Sequence, residues 1–170
     1  MRNRNVTMIT QGAIIAALYV VLTMIANALG LANHAIQIRF SEALCILPFF
    51  TMAAIPGLSV GCLISNILTG AMIWDVLFGT LATLIGAVGT YLLRKNKVLM
   101  MLPPVLSNAI IVPFVLHYGY GLSWEMNGVE LTIPYFAITV GIGEIISVCV
   151  LGGALLRALL PYKSVIFKNN

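Results

Sequence analysis

Apolar residues run in long blocks along this chain, and polar ones gather at the joints between them. A helix rises 1.5 Å per residue, so about 20 apolar residues in a row match the roughly 30 Å hydrocarbon core of a bilayer. The pattern predicts six helical spans, over about 8–30, 41–55, 57–73, 76–94, 98–117 and 133–158. Pro56-Gly57 reads as the turn between the second and third spans. Asp75 marks the tight corner between the third and fourth, and Arg94-Lys95-Asn96-Lys97 separates the fourth from the fifth. The longest polar connection is 117–134, with Pro134 suited to the first turn of the last span. The second span is short, which implies a helix that starts beneath the membrane surface or lies under an ordered loop.

Composition agrees with this pattern. Of 170 residues, 61% are hydrophobic and 8% charged, against about 25% charged in soluble domains, and mean hydropathy is +1.04. The expected fold is an all-α integral membrane bundle of six transmembrane helices, one domain over 1–170, in the cell membrane. That leaves no room for a soluble catalytic or nucleotide-binding domain. The net charge of +4 points to topology and not to nucleic acid. Arg2, Arg4, Arg94, Lys95, Lys97, Arg157, Lys163 and Lys168 all fall on one side of the six spans, together with both termini. Basic loops mark the cytoplasmic side, so both termini are expected there. Arg39 alone falls on the other side, while Glu42, Asp75, Glu125, Glu130 and Glu144 lie in the outer half or near mid-membrane. The opening 30 residues imitate a signal peptide, but their apolar run is too long for one and reads as a retained first helix. Cys45, Cys62 and Cys149 sit in apolar stretches without metal-ligand spacing, and neither a metal nor a cofactor is expected.

Few residues carry chemistry. Glu144 lies about ten residues into the last span, hence about 15 Å deep, where an ionised carboxylate costs roughly 2.5–3.5 kcal/mol. It either faces a ligand or bonds to a neighbouring helix, and the flanking Gly-Ile-Gly-Glu allows close approach. Asn108, midway along the fifth span, offers a donor and an acceptor to a heterocycle or to another helix. Asn66 has the same two uses, the structural one being favoured. Asp75 is either a cap for the fourth span or a site carboxylate. His34 and His117 stand alone near the outer surface. In the first span, Gly12, Ala13, Ala16 and Ala17 form two interleaved small-xxx-small pairs, a pattern that lets a partner or an internal helix pack closely. No phosphate loop and no nucleophile elbow is present. The chain reads as a non-enzyme that uses an ion gradient or borrows energy from another subunit.

Three stretches carry a resemblance: 36–50 (IQIRFSEALCILPFF), 57–87 (GLSVGCLISNILTGAMIWDVLFGTLATLIGA) and 102–116 (LPPVLSNAIIVPFVL), ahead of the final Gly-Ile-Gly-Glu helix. With these the chain resembles the S components, or substrate-capture subunits, of energy-coupling factor (ECF) transporters, and is most similar to the QueT group, associated with uptake of queuosine precursors. The resemblance implies a six-helix bundle with both termini inside. It also implies partners: a transmembrane T component and two cytoplasmic ATPases. Ala13 and Ala17 match the A-x-x-x-A motif that docks on the T component, with Gly12 and Ala16 as a second small pair beside it. A loop over about 31–40, including Asn33, His34 and Arg39, is expected to close over a ligand bound at the outer face.

For a deazaguanine bearing an aminomethyl group, the resemblance makes Glu144 and Asn108 candidates to read the heterocycle and Glu42 or Asp75 to hold the cation. Trp74, Tyr118, Tyr120 and Trp124 are candidates for stacking, and Asn66 for a further polar contact. Arg39 and Glu42, three apart, are expected to pair with each other and fix the loop's end to the pocket rim, with direct ligand contact by Glu42 as the alternative. The rival reading is a stand-alone ion-coupled transporter of a small purine-like or vitamin solute, with Glu144 as proton relay.

Overall fold

The computed structural model describes residues 4–31 and 38–167. Arg2 and Lys168, assigned above to the terminal side, and Asn33 and His34 of the outer loop lie outside the described residues. Among those described, four helical stretches are long and apolar enough to cross a membrane: Asn5–Ala28, Ile73–Leu92, Leu99–Gly119 and Thr132–Tyr162. Two apolar helices are shorter, Phe40–Phe49 and Ala54–Leu68. All six expected apolar segments are thus helical. The elements are α1 (Arg4–Ala28), a 3₁₀ helix (Phe40–Phe49), α2 (Ala54–Leu68), α3 (Ile73–Leu92), α4 (Leu102–Phe114), α5 (Thr132–Glu144), α6 (Gly152–Leu159) and α7 (Lys163–Ile166). A small hairpin, β1 (Glu125–Met126) with β2 (Val129–Glu130), precedes α5.

The second segment departs most from expectation. It is a 3₁₀ helix of ten residues, about 20 Å long at roughly 2.0 Å per residue, and too short to span. Pro48 lies inside it and has no N–H to give back along an α-helix. Ser41 to Pro48 are all buried, as befits a helix that is apolar nearly all round. This short helix is the centre of the bundle: Leu44, Cys45, Ile46 and Leu47 pack with Ile15, Tyr19, Leu58, Val105, Val148 and Leu156 from the helices around it.

The break after it is also displaced. Pro56-Gly57 was expected to separate two spans, yet α2 begins at Ala54 and runs through both residues. A proline in the first helical turn loses nothing, because that N–H has no intrahelical acceptor. The chain turns at 50–53 instead, where Thr51 Oγ1 accepts the Ala53 N–H at 3.2 Å. Pro134, as expected, falls in the first turn of α5.

Close contact between α1 and α2 rests on two glycines. A Cβ on Gly57 would lie 2.7 Å from the Gly12 carbonyl oxygen, and one on Gly61 would lie 2.7 Å from Tyr19 Cβ and 3.0 Å from the Ala16 carbonyl oxygen. The two interleaved small pairs of α1 therefore have separate uses. Ala16 is buried and Gly12 half-buried against α2, whereas Ala13 and Ala17 are exposed. Assigning all four to an external partner is corrected for Gly12 and Ala16, which pack internally.

The two ends of the described chain meet at one end of the bundle. Gln11 Nε2 donates to the Ile166 carbonyl at 3.4 Å, Phe50 stacks on Phe167 with ring centroids 4.9 Å apart, and Lys163 lies over the Phe49 ring. At the opposite end α1 and α2 both stop with glycines at positive φ, Gly30 at +73° and Gly70 at +72°. In each, the residue after the glycine bonds back five positions, Leu31 N–H to Ala26 and Ala71 N–H to Asn66, both at 3.0 Å. This is the usual way for a helix to end abruptly, and among the described residues it leaves a space above α1 and α2.

Candidate functional site: a polar cavity at the end opposite the termini

That space is a cavity of about 570 Å³, within the range of about 300–1,000 Å³ usual for small-molecule sites. Polar side chains enter it from every side. Tyr19, Thr23 and Asn27 come from one face of α1, Ser65, Asn66 and Thr69 from the end of α2, and Asp75 from the start of α3. Arg39 and Ser41 come from the head of the 3₁₀ helix, Tyr120 from the turn after α4, and Phe136 and Thr139 from α5.

Asp75 sits in the first turn of α3, whose N-cap residue is Met72 and has no side-chain cap. It is therefore not the cap itself, although a carboxylate in the first turn is favoured by the helix dipole. Its Oδ2 accepts from the Tyr120 hydroxyl at 3.3 Å, and Tyr120 Oη in turn accepts the Met72 N–H at 3.1 Å. Burial, the largest influence, pushes the Tyr120 phenol above its ordinary pKa, so it remains a donor to Asp75. Asn66 Nδ2 donates to the Asp75 carbonyl at 3.3 Å, tying α2 to α3. Asp75 Oδ1 is buried and has no hydrogen-bond partner among the described residues, and neither has Ser41 Oγ. Such orphaned buried atoms cost about 1–3 kcal/mol each and are common where a ligand completes the site.

The expected Arg39–Glu42 pair is not formed. Among the described residues the ion pair present is His117 Nε2 to Glu130 Oε1 at 3.6 Å, and no carboxylate comes within 4.0 Å of Arg39. Side chains three apart overlap in a 3₁₀ helix, but Arg39 precedes the helix in an extended conformation, φ −105° and ψ 105°, which sends its side chain to the cavity. Burial, the largest single influence, weakens the Arg39 charge; Asp75, Tyr19, Glu42 and Glu144 together outweigh it and raise the guanidinium pKa above its ordinary value.

Glu42 lies below the cavity, fully buried. Its Oε1 accepts from the Tyr19 hydroxyl, and its Oε2 accepts from the Cys45 thiol at 3.0 Å. Glu144 and Asn108 are likewise buried and are not in the cavity wall. The Asn108 amide lies beside the Glu144 carboxylate and donates to the Pro104 carbonyl at 3.2 Å, while Glu144 Oε2 has no partner. Immediately after Glu144 the helix loosens into a π-helical stretch, Ile145–Leu151, a distortion frequent at functional sites. Ser147, within it, accepts the Arg39 N–H at 3.2 Å and donates to the Gly143 carbonyl at 2.9 Å. The rim of the cavity is thereby fastened to the helix that carries Glu144.

The structure thus divides the residues singled out from the sequence. Arg39, Asn66, Asp75 and Tyr120 share the cavity wall, and Glu42, Asn108 and Glu144 form a buried polar layer beneath it. Trp74 and Tyr118 do not stack in the cavity: they line an apolar groove of about 500 Å³ with Phe78, Phe114 and Val115 on the flank between α3 and α4. Trp124 is spent on Tyr135, ring centroids 4.5 Å apart and nearly parallel. Sequence reasoning missed Tyr19, Thr23 and Asn27, although their spacing of four along α1 repeats one polar position on each turn. Ser41, Ser65, Thr69 and Thr139 gave a weaker signal, because isolated hydroxyls are frequent in membrane helices.

Comparison with known proteins accords with this architecture. Residues 9–161 match the model of a family described as "QueT transporter". A relative from Lactococcus lactis subsp. cremoris (strain MG1363), named "Queuosine precursor transporter QueT", is 42% identical over 73 residues, 43% of each chain. No solved structure matches. With the family match extending over all six apolar helical segments, the chain is a multi-pass membrane protein that belongs to the QueT transporter family.

Proposed function

We propose that this chain captures a queuosine precursor, 7-aminomethyl-7-deazaguanine or a related base, at the outer face of the cell membrane. In this reading it acts as the S subunit of an ECF-type importer, delivering the base with a T component and two cytoplasmic ATPases. The observation that carries the reading is the polar cavity with its unpartnered Asp75 and Ser41 oxygens, in a chain whose relative is named for that solute. A planar bicyclic base with a cationic arm supplies the N–H donors and the carbonyl acceptor that such a wall lacks. The exposed Ala13 and Ala17 support a docking face on α1, the least buried of the long helices.

Calorimetry on the purified protein with 7-aminomethyl-7-deazaguanine tests capture, and proteoliposomes test coupling. Binding to the isolated chain without nucleotide, and accumulation only when the T component and ATPases are present with ATP, are the expected results. Absence of binding refutes the substrate. Accumulation by the isolated chain under a pH gradient replaces the ECF reading with an ion-coupled one, in which the buried Glu144 carboxylate would carry the proton.

A further inference from the structure

The cavity wall holds a cation and a carboxylate that do not satisfy each other. Arg39 presents five N–H donors, and among the described residues no carboxylate lies within 4.0 Å of them. Among the described residues Asp75 has one buried oxygen without a partner and a second that accepts a single 3.3 Å bond, from Tyr120. A carboxylate offers about four lone-pair sites, so Asp75 retains room for two further donors. Glu42 does not compete for this role, since both its oxygens are engaged by Tyr19 and Cys45. Glu144 is sealed below the wall.

We propose that Arg39 and Asp75 together read the lactam edge of the base, Arg39 donating to the ring carbonyl and Asp75 accepting the adjacent ring N–H and exocyclic amino N–H. This deepens the queuosine-precursor reading and rests on it. It moves recognition of the heterocycle from the Glu144–Asn108 pair to the outer wall, and it names the chemical class selected: 2-amino-oxo pyrimidine-fused bases. An adenine-type edge offers no pair of parallel donors beside a carbonyl. A xanthine-type edge places a second carbonyl where the amino group belongs, oxygen against carboxylate oxygen. Ser41, buried with a free hydroxyl, is placed in the same wall to bond whatever lone pair Arg39 leaves.

The test measures competition by 7-deazaguanine and 7-deazaxanthine against 7-aminomethyl-7-deazaguanine on wild type and on Asp75→Asn. Wild type is expected to favour 7-deazaguanine by at least about 100-fold, because a site built around N–H groups rejects analogues that lack them. In Asp75→Asn, whose amide donates where the carboxylate accepted, the preference is expected to collapse below about tenfold or to invert. A mutant that weakens both bases equally and keeps the wild-type ratio overturns the assignment while leaving the transporter reading intact. A wild type that binds no deazaguanine at all removes the transporter reading and the assignment together. Should Asp75→Asn fail to fold, Arg39→Gln with 6-thio-7-deazaguanine, which keeps the ring N–H and the amino group but puts a weakly accepting sulfur in place of the carbonyl oxygen, gives the same decision. Loss of the oxygen is expected to weaken binding to wild type and to matter little in Arg39→Gln, and an equal penalty in both proteins refutes the proposal.

Discussion

Gly61→Ala is a one-methyl change, and its consequence follows from the packing of α1 on α2. The new Cβ would lie 2.7 Å from Tyr19 Cβ and 3.0 Å from the Ala16 carbonyl oxygen. Ordinary contact begins near 3.4 Å, so α1 must retreat by about 0.7 Å. Neither obstacle is the far end of a flexible side chain. Overpacking of this kind costs about 1–3 kcal/mol, against which alanine returns up to about 1 kcal/mol of helix propensity. The retreat also draws Tyr19 from Glu42, its buried hydrogen-bond partner, and a loosened buried carboxylate adds about 1–3 kcal/mol. The net expectation is a loss of about 1–5 kcal/mol. Gly153→Ala is the matched control, since the nearest atom to its Cβ is Met101 Cε at 3.8 Å and only the propensity gain applies. Thermal unfolding in detergent, read by helical circular dichroism, should place Gly61→Ala well below wild type and Gly153→Ala at or above it. Equal stability of the two variants would refute the claim that α1 and α2 meet through that glycine.

Three further outcomes are expected. Tyr19→Phe removes a donor from buried Glu42 and should lower stability by about 1–3 kcal/mol, measured in the same unfolding assay; an unchanged melting curve would show that Glu42 finds another donor. Ala17→Trp, on the exposed face of α1, should leave calorimetric binding of 7-aminomethyl-7-deazaguanine intact and abolish co-purification with a T component; retained co-purification would exclude that face as the dock. Glu130→Gln breaks the pair with His117, a contact with a half-exposed Glu130, and should cost under about 1 kcal/mol; faster proteolysis of the 120–131 connection is the measurement that would show a larger role.

The six apolar blocks were legible because burial in a bilayer demands long uninterrupted runs, and each run became a helical segment. The glycine-proline punctuation was less so. Pro56-Gly57 looks like a turn in isolation, but proline is equally at home in a first helical turn, and Gly57 is there to admit the Gly12 backbone. The nature of the second segment was hidden for a related reason: apolar content shows that a stretch is buried, not whether lipid or protein buries it. At the site, charge was easy to find and direction was not. Arg39, Asp75, Asn66 and Tyr120 reach the cavity, while Trp74 and Tyr118 face the flank, a difference set by helix phase near ends whose exact start a sequence does not reveal.

Depth separates the two kinds of polar residue better than charge does. The wall residues Arg39, Ser41 and Asp75 have unused hydrogen-bonding capacity among the described residues, and they line the open cavity. Glu42, one residue beyond Ser41, is closed off by Tyr19 and Cys45. The chain thus gives Arg39 and Ser41, at the head of the 3₁₀ helix, to the cavity and the rest of that helix to the core. The Arg39 N–H is bonded to Ser147 in the π-helical stretch after Glu144, a distortion frequent at functional sites. Two hydrogen bonds, Arg39 N–H to Ser147 and Ser147 to the Gly143 carbonyl, thus join the cavity rim to the last helix.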